Sequence, residues 1–198
     1  MRTTIFVALL LAALGSLAAG EPPAPAAPDQ VVLLDIQGLW GGVDLWIAND
    51  GKAVCRHVGP PRAGGRGLQE SRHAFSLSSE QQAELAALVE RHGFFTLEIA
   101  DRPGVPDESR PILFIQSGAR RRAVAKWGND AHPDFDPLYR FLLAVARAGR
   151  AGSLLAEGAY DPEWQPEGFE PGRAIRDMAQ PAPAAASEAP AAGGLPLK

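Results

Sequence analysis

Cys55 and His57 are the first residues whose types and spacing could do chemistry. They stand at i and i+2 in Lys52 to Val58 (KAVCRHV), a run that reads as a strand, so both side chains leave the same face. A thiolate and an imidazole are ligands for zinc or copper, but two ligands do not make a site. The further ligands would have to come from His73, His92 or His132, none of which stands at a recognisable ligand spacing. A nucleophilic Cys–His pair fits less well still, because positions i and i+2 of a strand hold their side chains parallel rather than in contact. The pattern therefore favours a structural role, with metal binding as the alternative.

Three other polar groupings invite the same question. Asn129 to Asp136 (NDAHPDFD) gathers oxygen and imidazole groups, yet it lacks the central glycine and distal glutamate of a calcium loop. Capping of a following helix by Asp134 or Asp136 explains it better. Asp101, Asp107 and Glu108 share one loop. Paired carboxylates are what glycoside hydrolysis requires, but nothing nearby in sequence supplies an apolar pocket to raise one of them. Arg120, Arg121, Arg122 and Lys126 make a basic strand in an acidic chain, the usual guard of a sheet edge or a docking surface for an acidic partner. No nucleophile elbow, zinc-protease motif or phosphate loop is present. No catalytic residue, cofactor or metal site is assigned. The candidate protein-binding surface comprises Leu39, Trp40, Gly41, Gly42, Arg120, Arg122 and Trp127.

The elements that would position these residues follow from periodicity. Residues 31–36 (VVLLDI) and 43–48 (VDLWIA) are β-branched and apolar, with Val43, Leu45 and Ile47 on one face. Asn49-Asp50-Gly51 supplies hairpin chemistry before the return strand 52–58. Residues 59–72, rich in glycine and proline, read as a mobile loop. Ser78 with Gln81 forms a capping box, Leu85, Leu88 and Val89 form a buried stripe, and Gly93 stops the helix. Phe94, Phe95 and Leu97 follow as core anchors. A second hairpin joins Pro111–Gln116 to Arg120–Trp127, and Asp136-Pro137 opens a helix carrying Leu138, Phe141, Leu142 and Val145. The order βββαββα predicts an α+β fold: a two-layer sandwich of about five antiparallel strands with two helices on one face.

The ends are of different composition. Residues 1–20 have a basic start, an apolar run from Ile5 to Leu14 and small residues before Glu21, which reads as a cleavable signal peptide. The run is too short for a comfortable membrane span, and no cysteine follows it to carry a lipid anchor. Removing it takes away Arg2 and no acid, moving the net charge from −4 to −5. That balance lacks the electrostatic footprint of a nucleic-acid binder. With one cysteine, Cys55, no intramolecular disulfide can form. Residues 21–29 read as a Pro/Ala linker, 30–149 as the globular domain, 150–178 as an extended arm able to dock, and 179–198 as a disordered Ala/Pro tail.

The stretches Gly38–Val54 (GLWGGVDLWIANDGKAV), Leu77–Gln81 (LSSEQ), Gly93-Phe94-Phe95 and Ile112–Val124 together resemble a pattern of small exported bacterial domains of unknown function. Many of those carry a cysteine pair and a Cys-Pro-x-Tyr element in the first hairpin, and this chain has neither. The order of elements is also similar to that of emfourin, a proteinaceous inhibitor of thermolysin-like metalloproteases. The resemblance implies a binding module rather than an enzyme, and its matched positions are turns and caps, so it transfers no site residues. The expectation is an exported, non-catalytic interaction module, periplasmic or secreted, with an unknown protein partner and no stable insertion into the membrane. A metal-dependent protein using Cys55 and His57, or an envelope-associated structural protein, is the alternative.

Overall fold

Alternation of apolar residues in the first strands places one row against two helices and the other row against the end of the chain. In Gln30–Gln37 (β1), Val31 and Leu33 join one buried cluster while Val32 and Leu34 join another. Gly41–Ala48 (β2) divides in the same way, with Val43, Leu45 and Ile47 facing one cluster and Trp46 the other. The computed structural model describes residues 26–37, 39–61 and 66–180. The expected signal peptide, linker residues 21–25 and tail residues 181–198 lie outside the described residues.

The fold is α+β and built on one sheet. Lys52–Gly59 (β3) pairs with β2 through the Asn49-Asp50-Gly51 turn, where Gly51 takes φ 79°. Gln69–Ser76 (β4) pairs with β3. Ser79–Arg91 (α1) follows, with the expected capping box: Gln81 N donates to Ser78 Oγ and Ser78 N to Gln81 Oε1. A 3-10 turn at Phe94–Thr96 begins after Gly93, which takes φ 55°. Ile112–Ser117 (β5) and Arg120–Ala125 (β6) form the second hairpin. Phe135–Gly149 (α2), Ser153–Ala159 (β7) and Gly172–Met178 (α3) complete the chain.

The sheet has seven strands in the order β6-β5-β1-β2-β3-β4-β7, with every neighbouring pair antiparallel. About five were expected, in the order βββαββα. The two additional strands are β4 and β7. β4 takes up the end of the region read as a loop over 59–72, and β7 comes from the segment read as an arm. Nor are there only two layers. Helices α1 and α2 cover one face, packing Leu85, Leu88, Val89, Leu138, Leu142 and Val145 on β1 to β3. The remainder of residues 150–178 crosses the other face, where Trp164, Phe169 and Ile175 pack on Val32, Leu34, Trp46 and Phe114.

The start of α2 also differs from expectation. It begins at Phe135, and neither aspartate caps it through the first-turn amides: Asp134 and Phe135 donate their backbone N–H groups to His132 Nδ1 at 3.2 and 3.3 Å. Asp136 instead reaches back to accept from His132 N at 3.1 Å. The imidazole does the work usually left to a short polar side chain.

Candidate functional site

One end of the sheet carries both an exposed apolar tip and a pocket, and the tip is built on two glycines. β1 and β2 meet at Gln37 and Gly41, which are paired. A side chain on Gly41 would lie 2.2 Å from Val58 O, and one on Gly42 would lie 1.9 Å from Asp35 O. Both take positive φ, 82° and 145°. Only glycine permits this close approach of three strands. Above this tight base the tip presents Leu39 and Trp40, 72% and 67% exposed.

Beside the tip, between α2 and the sheet, lies a pocket of about 450 Å³ lined by Asp35, Gly42, His57, Tyr139, Arg147 and Arg150, with Val43, Val58 and Leu143 as its apolar wall. Alternation places Asp35 on the α2 side of β1, in line with Val31 and Leu33. Tyr139, Leu143 and Arg147 are spaced by four in α2, and Arg150 follows by three, so one helix face overlooks the pocket.

The titrating groups of this pocket are held in unusual states. Tyr139 Oη donates to Asp35 Oδ2 at 2.7 Å. Burial pushes the Asp35 carboxyl up to about 6, with the Tyr139 hydrogen bond opposing and Asp44 adding to the rise. The Tyr139 hydroxyl is raised by burial and then by Asp35. His57 Nε2 lies 3.1 Å from Ala146 O. A carbonyl only accepts, so Nε2 carries the proton there. Burial, then Arg150, hold the His57 imidazole down at about 4. The pocket thus offers two guanidinium groups, a neutral imidazole and a carboxyl that changes charge near pH 6. Arg147 and Arg150 form no ion pair or hydrogen bond through their side chains with any described residue.

Cys55 and His57 do leave the same face, and β4 brings His73 opposite Cys55. The His57 and His73 rings sit 6.2 Å apart, edge to face. Cys55 is fully buried, and burial pushes its thiol up to about 11, which keeps it from acting as a thiolate. Among the described residues no group of three His, Cys, Asp or Glu side chains is placed to hold a metal ion.

The seven residues of the expected binding surface are not contiguous. Leu39 and Trp40 form the tip, Gly41 is buried beneath it and Gly42 lines the pocket. Trp127 follows β6 at the same end of the sheet, but its indole N–H is committed to Asp101 Oδ1 and Arg102 O. Arg120 lies at the opposite end of the strands, paired with Glu90 at 2.9 Å and stacked over Phe95. Arg122 donates to Leu97 O at 2.5 Å. The acidic loop is stapled internally: Arg102 binds Glu108 and Asp130, and draws the Glu108 carboxylate down to about 2. Asp101 pairs with Arg110 at 3.2 Å.

Asp35, Tyr139, Arg147 and Arg150 were missed by motif reading. The available signal was an acid at an inward position of an otherwise apolar strand, together with the spacing of residues 139, 143 and 147. Comparison of the chain with family models, with curated proteins and with solved structures returned no match.

Proposed function

We propose that this chain is an exported, non-catalytic interaction module that engages a protein partner through the β1–β2 tip. Export is inferred from the composition of residues 1–20. The observation that carries the reading is the exposure of Leu39 and Trp40 on a tip whose base is too tightly packed to admit a Cβ at Gly41 or Gly42. A rigidly mounted tryptophan offers a large contact area with little rotamer entropy to lose, the usual chemistry of a binding hot spot. Elsewhere the exposed large apolar residues are scattered, apart from Leu154 and Leu155 on β7.

The resemblance to emfourin, drawn from the order βββαββα read in the sequence, suggests the first class of partner to try, thermolysin-like metalloproteases. Residues 21–198 should slow such an enzyme at micromolar concentration, and Leu39→Ser with Trp40→Ala should abolish the effect. If no metalloprotease is slowed, the inhibitor version fails. The wider reading is tested by affinity capture from envelope and culture medium with both proteins. It fails if the double variant retains the same partners as the unaltered chain.

A further inference from the structure

Arg147 and Arg150 stand at the rim of a concave site without a counter-charge of their own, and this is the feature left unexplained by the fold. Two arginines in and just past the last turn of α2 complement the helix dipole. That accounts for their position in sequence but not for the pocket between them and β1 to β3. Four arginines of the sheet and its loops are, by contrast, committed. Arg56 is tied to Asp44, Arg72 to Glu70, Arg102 to Glu108 and Asp130, and Arg110 to Asp101.

We infer that the pocket bounded by Asp35, His57, Tyr139, Arg147 and Arg150 is a carboxylate-binding site, receiving an acidic side chain of the protein that packs on Trp40. The source of the carboxylate rests on the interaction-module reading; the chemistry of the pocket does not. Guanidinium groups match the planar, two-oxygen geometry of a carboxylate. Gly42 lines the pocket and Trp40 is two residues away in the chain, at most about 7 Å along the backbone. One partner residue can therefore enter the pocket while its neighbour covers the indole.

Charge decides between a carboxylate and a phosphate. Asp35 shares the pocket lining with His57 of β3, Tyr139 and Arg147 of α2 and Arg150 just past it; Tyr139 and Asp44 of β2 hydrogen-bond it directly, and Asp136 in the first turn of α2 acts on Tyr139. His57 is neutral over the working range. With Asp35 ionised, the pocket lining carries two positive charges and one negative, which suits a monoanion. A dianion would be set against the Asp35 carboxylate. Protonation of Asp35 near pH 6 removes that negative charge, so a carboxylate should bind more tightly as pH falls toward it.

The test uses residues 21–198 and N-acetylglutamate α-amide, a probe with a single carboxylate, titrated by amide NMR between pH 8 and pH 5.5. Gly42, Val58 and Leu143 should shift on binding. Arg147→Ala with Arg150→Ala should weaken binding by at least about tenfold, and both side chains are exposed, so the fold is left intact. Asp35→Asn should tighten binding at pH 8 by severalfold and flatten its pH dependence. No shifts at these amides, equal affinity in the arginine double variant, or inorganic phosphate binding as tightly as the probe would each overturn the site. An acidic peptide with an aromatic residue beside its glutamate forms the second arm. If Trp40→Ala leaves the peptide unaffected while the arginine variant abolishes binding, the pocket stands and the tip-based partner reading falls.

Discussion

The two faces of the sheet handle buried charge in opposite ways. On the face crossed by residues 160–178, Asp44, Arg56, Glu70 and Arg72 form a ladder across β2, β3 and β4. Arg56, 3% exposed, donates to Asp44 Oδ2 at 2.6 Å and to the carbonyls of Asp161 and Trp164 at 2.9 and 3.0 Å. Its guanidinium is enclosed by the rings of Trp46, Tyr160 and Trp164, and Arg72 stacks on Trp164 at 3.9 Å. On the helix face, Arg147 and Arg150 line the same pocket as a carboxyl that burial has made hard to ionise. Where every charge has a partner the arrangement fastens the chain. Where the charges share a pocket without neutralising each other, it is suited to a ligand.

The sharpest way to break this contrast is Arg56→Ala. It leaves Asp44 buried without its cation and two carbonyls without their donor, and should cost about 3–5 kcal/mol in chemical denaturation. Proteolysis within residues 160–178 should accelerate. Removing the acid as well, in Asp44→Asn with Arg56→Met, should recover part of that loss, since uncompensated charge rather than lost attraction is the main penalty. If Arg56→Ala is neutral, the ladder does not hold the arm.

A smaller effect is expected from Asp35→Asn. The carboxyl titrates at 3.8 when unperturbed and at about 6 in the fold. Between these values the unfolded chain releases a proton that the folded chain keeps, so Asp35 stabilises the fold at low pH and this contribution fades as pH rises through 6. The difference is at most about 3 kcal/mol. Asp35→Asn should therefore be more stable than the unaltered chain at pH 7.5, with the gap closing below pH 4. His57 works with the opposite sign: its imidazole resists protonation in the fold, so stability falls as pH drops from 6.5 toward about 4. Subtracting the two denaturation series isolates Asp35 from this opposing slope.

Least costly of all should be Arg147→Ala and Trp40→Ala, each within about 0.5 kcal/mol in stability. Cys55 should resist alkylation by iodoacetamide in the native protein and react only at the rate of opening, because its thiol is both buried and raised to about 11. Rapid labelling without denaturant would contradict this account of the helix face.

Elements whose burial is one-sided were legible in the sequence. The hairpin at Asn49-Asp50-Gly51, the Ser78–Gln81 box and the apolar stripes of α1 and α2 all declare themselves locally. β4 did not, because Gln69–Ser76 (QESRHAFS) lacks apolar alternation. Glu70 and Arg72 are covered there only because Arg56 and Trp164, distant in sequence, supply partners. β7 was hidden for another reason: it is an edge strand exposed along most of its length, with Leu154 and Leu155 57% and 55% exposed, so neither face selects a pattern. Trp46 could have belonged to either side, and its place under Trp164, 5.7 Å away edge to face, is a tertiary choice. The pocket was illegible as a motif because its residues come from β1, β2, β3 and the length of α2 to its C-terminal cap.

The last described stretch of the chain is tied to the first. Gln30 donates through Nε2 to Gly168 O at 3.0 Å and accepts at Oε1 from Glu170 N at 3.1 Å. β1 also waits for its second neighbour until β5, some eighty residues on. A ribosome or an export channel releases such a polypeptide from one end, so its opening strand must remain half-clothed until nearly the whole sequence has emerged. Completing the sheet depends on distant closures, β1 on β5 and β4 on β7, which slow folding relative to a meander of the same size. A nascent chain halted before residue 160 would leave the tryptophan and guanidinium face wet, a form open to chaperones and proteases that the finished molecule does not show them.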